Sequence, residues 1–171
     1  MSKEQESLAP LNMETEEDRE LVRSYEGDLL GGLLAAAKYQ TEETYLVDII
    51  RNKVKFFSFH IRPLSEEEFQ KLIKRYTKYK KNRRMGGRVQ DDFDREGYRS
   101  DVIFTATVPE DRQAVWGDNN GLWCALDVLS GPQAIAKILK PGEMERIYER
   151  IEEISGYTDE DAEAEIETAK N

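Results

Sequence analysis

The sequence predicts an α+β domain in which one β-hairpin lies on about five α-helices. Three observations predict it. Apolar residues alternate with period two between Tyr45 and Arg62. They recur at helical spacing in most later segments, and Gly, Pro and Asn punctuate the transitions. The 171 residues suit a single domain, and a 39% hydrophobic fraction is enough for one modest core despite 35% charged residues.

Charge places the domain within the chain. Met1 to Asp28 holds nine acidic and three basic residues, and Tyr157 to Asn171 holds six acidic residues against Lys170 alone. The net charge of -10 is therefore carried by the two ends, and the middle is close to neutral. Both ends are poor in aromatic and branched apolar residues, so they cannot offset the entropy of ordering. The expected organisation is an acidic flexible tail at 1–27, one α+β domain at 28–157 and an acidic flexible tail at 158–171.

Leu30, Leu33, Leu34 and Ala37 form one helical face behind Asp28 as N-cap, weakened by Gly31 and Gly32. In the hairpin, Tyr45, Val47, Ile49, Phe57, Phe59 and Ile61 face inward, the even-numbered residues face outward, and Asn52-Lys53 is the turn. Ser65-Glu66-Glu67-Glu68 is a capping box with Leu64 and Phe69 as its hydrophobic staple. The stripe Phe69, Leu72, Ile73, Tyr76 and Tyr79 then carries a helix to about Lys81, followed by a loop at Met85-Gly86-Gly87. Arg95 to Val108 reads as a helix stopped by Pro109, although Val102 to Thr105 has strand propensity. Asp118-Asn119 caps a helix carrying Leu122, Trp123, Leu126 and Leu129, which Gly131 ends. A short helix with Ile135, Ile138 and Leu139 follows, and the last one opens at Pro141 and closes at Gly156.

Little catalytic chemistry can be assembled from these residues, so no catalytic, cofactor-binding or metal-binding residue is nominated. His60 is the single histidine and falls on the outward parity of a strand, the position of an ordinary solvated side chain. Cys124, the single cysteine, reads as a small buried hydrophobe rather than a nucleophile. Asp91-Asp92-Phe93-Asp94 lacks the Gly and the closing Glu of an EF-hand loop, and Gly86-Gly87 has no Lys-Ser or Lys-Thr after it. No run of about 18 apolar residues exists to span a bilayer, and the acidic start has no apolar h-region of a signal peptide.

Two features point to partners instead. Lys71, Lys74, Lys78, Arg83 and Arg84 belong to a basic helix-and-loop at 71–88 with no acid between Phe69 and Gln90. It reads as a phosphate track with Tyr76 and Tyr79 as stacking platforms, as a patch for an acidic protein surface, or as a solvated helix face. The solvated face is preferred, because acidic ends would neutralise the stretch and repel a polyanion. Leu46, Val54 and Phe56 are apolar residues on the hairpin's outward parity, which marks either a partner site or a third layer of packing.

The C-terminal run Ile138-Leu139-Lys140-Pro141-Gly142-Glu143-Met144, with Ile151 and Ile154-Ser155-Gly156-Tyr157, resembles the end of the XkdN-like phage tail assembly chaperones of Gram-positive phages and PBSX-type prophages. The likeness continues upstream in Phe57 to Glu67, in Tyr76-Thr77-Lys78-Tyr79, and in Ala106 to Asp111 before Trp116, covering about 28–157. It implies a non-enzymatic, cofactor-free protein of the host cytoplasm. Such a protein binds the tape measure protein, helps recruit tail tube subunits and is missing from the mature virion. A homo-oligomer and a frameshifted longer form remain open, and the resemblance transfers no functional residue. The competing readings are a nucleic-acid-binding adaptor built on 71–88 and a structural subunit of the tail.

Overall fold

The computed structural model describes residues 23–157, so residues 1–22 of the tail expected at 1–27 and all of the tail expected at 158–171 lie outside the described residues. The chain divides into two units, residues 1–40 and 41–171. In the first unit, residues 23–27 are not loose chain but turns, with the amides of Glu26 and Asp28 donating to the Arg23 and Tyr25 carbonyls. Helix α1 follows at Leu29–Glu42, and Asp28 caps it as expected, its carboxylate accepting from the Gly31 amide at 2.9 Å.

The second unit opens with the predicted hairpin, β1 (Tyr45–Arg51) and β2 (Val54–Ile61), paired antiparallel. Asn52 and Lys53 both take positive φ, +50° and +66°, the left-handed pair that joins two strands whose twist is right-handed. The inward parity holds: Ile49, Phe59 and Ile61 are buried, and Tyr45, Val47 and Phe57 pack beside them. The hairpin rests on helices, as an isolated pair of strands must.

Helix α2 (Glu66–Tyr76) has the capping box read from sequence, with the Glu68 amide donating to Ser65 Oγ and the Ser65 amide to Glu68 Oε2. It ends five residues earlier than expected. Thr77 leaves the helix in extended conformation and starts a second antiparallel hairpin, β3 (Thr77–Asn82) and β4 (Gly87–Phe93), where the sequence suggested helix and loop. Helices α3 (Arg95–Ala106), α4 (Pro109–Trp116), α5 (Leu122–Leu126), α6 (Gly131–Ile138) and α7 (Pro141–Ile154) follow, so that the described residues form an α+β fold with seven α-helices and two hairpins.

Helix α3 is the spine of the core. Its Val102, Ile103 and Ala106 are fully buried and meet α2, α6 and α7. Trp116 is also fully buried, edge-on to Phe57 and Phe59 at 5.6 and 5.1 Å, and its indole N–H donates to Thr107 Oγ1. That contact joins α4 to the hairpin. Gly131 opens α6 where a Cβ would come within 2.1 Å of the Phe104 ring, so only glycine permits this approach of α6 to α3.

The stretch between α4 and α6 departs from the sequence reading. The expected helix through Leu129 is only α5, because Asp127 turns left-handed at φ +54° and ends it. Leu129 is consequently 85% exposed, and Cys124 lies on the surface rather than in the core.

Candidate functional site

The first hairpin carries an apolar surface. Its register shifts between Ile49 and Ile50, so that Ile49 faces Phe57, Ile50 faces Lys55 and Phe56 is the extra residue of a β-bulge. Residues directly opposite one another share a face. Leu46 and Ile50 therefore share the outward face with Asp48 and Lys55, which pair at 2.6 Å. Beyond the bulge the parity reverses, and Val54 lies opposite Arg51. The Arg51 guanidinium stands over the Phe56 ring at 5.9 Å. Val54, expected beside Leu46 on the even-numbered face, thus lies opposite Arg51 on the other face, while Phe56, the bulge residue, has no single partner across the hairpin. Leu46, Ile50, Val54 and Phe56 are 54, 56, 56 and 62% exposed. Ile50 escaped nomination although it shares the parity of Leu46.

Arg51 fixes this surface to the helices. Its Nε and Nη2 donate to the two oxygens of Glu143 at 2.8 and 2.6 Å, and Nη2 also reaches the Ile138 carbonyl at 2.7 Å. Glu143 Oε2 in turn accepts from the Lys140 amide at the start of α7. The Arg51 hydrogen bonds, reinforced by that amide, hold the largely buried Glu143 carboxyl down to about 2. One carboxylate therefore caps a helix and anchors the end of β1, which keeps the tip from swinging.

The two long edges of the hairpin differ. Along β2, the His60 amide donates to Asp111 Oδ2 at 2.6 Å, and its carbonyl accepts from the Val108 amide. Asp111 also lies 2.8 Å from His60 Nδ1, so the histidine is part of an edge closure rather than an isolated solvated ring. Along β1, a shallow cleft of about 210 Å³ separates the strand from α7, lined by Leu46, Ile49, Ile147, Arg146 and Arg150. An open strand edge beside an apolar floor is a place where extended chain can add.

The basic residues are regrouped by the early end of α2. Lys71 and Lys74 stay on that helix, Lys71 pairing with Glu67 at 2.7 Å. Lys78, Lys80 and Lys81 on β3, Arg83 and Arg84 at the turn, and Arg88 on β4 form a separate basic arm. Its base is held firmly. Arg75 Nη1 and the Tyr76 hydroxyl donate to the buried Asp101 carboxylate at 2.6 and 2.9 Å, and the Asp94 amide closes onto the Tyr76 carbonyl. Burial, then that carboxylate, pushes the Tyr76 phenol up to about 12. Tyr76 packs against Tyr98 and is no stacking platform, whereas Tyr79, expected in the helix stripe, stands exposed on the arm.

A third apolar surface belongs to the first unit, where Leu29, Leu30, Leu33 and Leu34 of α1 are all exposed. Among the described residues no three His, Cys, Asp or Glu side chains gather as a metal site needs, and no helix is long and apolar enough to cross a membrane. Asp94 of the acidic run is used to cap α3, accepting from the Gly97 amide.

No curated protein and no solved structure gives a significant match to this chain. A family model does, that of the phage XkdN-like tail assembly chaperone protein, over residues 30–170. The match runs past the motifs quoted above and takes in most of the acidic C-terminal stretch. The chain belongs to the XkdN-like phage tail assembly chaperones, a non-catalytic family.

Proposed function

We propose that this chain binds the tape measure protein and assists tail tube assembly, acting in the host cytoplasm by holding rather than by chemistry. Family membership makes phage tail proteins its partners. The observation that carries the finer reading is the first hairpin, which exposes Leu46 near the start of β1 and Ile50, Val54 and Phe56 near its turn, with the end of β1 anchored by Arg51 on Glu143. Long helical clients expose apolar stripes until they are packed, and such stripes are met by apolar side chains inside a charged rim. Asp48, Lys55 and Arg51 provide that rim. Leu46 and Ile50 serve one side of a client, while Val54 serves the other.

The test is co-expression with the tape measure protein encoded by the same phage or prophage. The expected result is a stable complex that keeps the tape measure soluble, with the chaperone missing from purified particles. Recovery of this chain in stoichiometric amounts from mature particles would instead make it a structural subunit.

A further inference from the structure

We propose that the basic β3–β4 arm is the docking surface for the chain's own acidic segment, residues 158–171. The arm, residues 77–93, carries six basic and two acidic residues, a net +4. Its two carboxylates make only long, exposed pairs near its base, Lys78 with Asp92 at 3.8 Å and Lys80 with Asp91 at 4.0 Å. Among the described residues no carboxylate pairs with Lys81, Arg83, Arg84 or Arg88. A shallow basin of about 570 Å³ lies between Lys80, Lys81, Arg83 and Gln90. Residues 159–167 contain six carboxylates and no base, opposite in sign to the arm, and Glu163, Glu165 and Glu167 lie far enough along the segment to reach it.

The place where the described chain ends makes the reach short. The Tyr157 hydroxyl donates to Glu66 and its ring meets Phe69 edge-on at 5.5 Å, so the acidic segment departs from the first turns of α2. The arm begins where α2 stops. Eleven helical residues cover about 16 Å, and the six residues of β3 about 20 Å more. Fourteen residues span up to about 46 Å, enough to pass Lys71 and Lys74 and arrive at the arm's turn. Attachment this close gives an effective concentration in the millimolar range, far above that of a second copy at micromolar protein. Each exposed ion pair is weak, but several pairs along one tethered segment act together and weaken together in salt. Docking of this kind screens the arm from other polyanions, nucleic acid included.

Zero-length carbodiimide crosslinking of the full chain, followed by peptide mass spectrometry, tests this directly. At low salt, crosslinks from Glu163, Glu165 and Glu167 to Lys78, Lys80 and Lys81 are expected on the monomer band. They should fall several-fold at about 0.5 M salt, where the screening length is only a few ångströms. The variant R83Q/R84Q/R88Q keeps every reactive lysine and should lose the same crosslinks several-fold at an unchanged melting temperature. No crosslinks, crosslinks only between copies, or a yield indifferent to the arginines would overturn the proposal. Converting the six carboxylates of 159–167 to amides should also raise affinity for a short DNA duplex on the order of tenfold at low salt. A full chain that binds the duplex as tightly as that variant contradicts it.

Discussion

Removing the Glu143 carboxylate perturbs the contact that ties the end of β1, beside the candidate binding surface, to α7. Glu143→Gln keeps the side chain's size but gives up the bidentate charge pair with Arg51, at 2.6 and 2.8 Å, and weakens the acceptor for the Lys140 amide. Holding a carboxyl at about 2 instead of 4.5 corresponds to about 3 kcal/mol of stability at neutral pH. Arg51 is 27% exposed and keeps part of its hydration, so screening brings the expected loss to about 2 kcal/mol. With a urea slope of about 1–2 kcal/mol/M, the unfolding midpoint should drop by about 1–2 M. The sign in pH is fixed by the direction of the shift. A depressed carboxyl contributes fully above its ordinary value near 4.5, and that contribution is lost as pH falls through 4.5 towards 2. Urea melts of both proteins at several pH values should therefore show a gap that is constant near neutrality and closes in acid. A difference below about 0.5 kcal/mol at neutral pH, or one that does not change in acid, refutes the anchor.

Three further outcomes follow from the packing. Gly131→Ala forces a methyl into the Phe104 ring and should cost about 1–3 kcal/mol, read as a lowered melting temperature. Ser65→Ala removes the acceptor for the Glu68 amide and should cost about 1 kcal/mol in chemical denaturation. Asp101→Ala removes the acceptor shared by the exposed Arg75 and the half-buried Tyr76 and should cost about 1–2 kcal/mol, with faster hydrogen exchange at the base of the basic arm.

What the sequence disclosed, and what it hid, follows the range of the forces involved. The Ser65–Glu68 box, the Asn52-Lys53 turn and the Pro141 start are local devices, complete within a few residues, and each stands where its chemistry put it. The inward parity of Tyr45 to Ile61 is equally local until the bulge, which a period-two reading carries straight through. Such a reading puts Val54 on the face of Leu46, whereas the bulge turns it to the other face. The second hairpin was hidden by composition. Lys78 to Arg88 has few apolar residues to reveal a period, and the end of α2 before it is fixed by contacts of Arg75 and Tyr76 with Asp101 and Asp94, distant in sequence. Thr77, β-branched, and the glycine pair before Val89 are the signals that would have shown it. The regrouping matters for function, because it turns a helix face into an exposed arm.

Affinity of the purified tape measure protein for matched hairpin variants tests the central claim most directly. Leu46→Glu and Phe56→Glu each place a charge in the exposed apolar surface, one near the start of β1 and one near the turn, and both positions are exposed enough to leave folding intact. If client helices bind there, each variant should weaken the complex on the order of tenfold or more, the loss typical of an apolar anchor of about 2 kcal/mol. Wild-type affinity in both variants, with native circular dichroism and melting temperature, would show that the client binds elsewhere on the molecule.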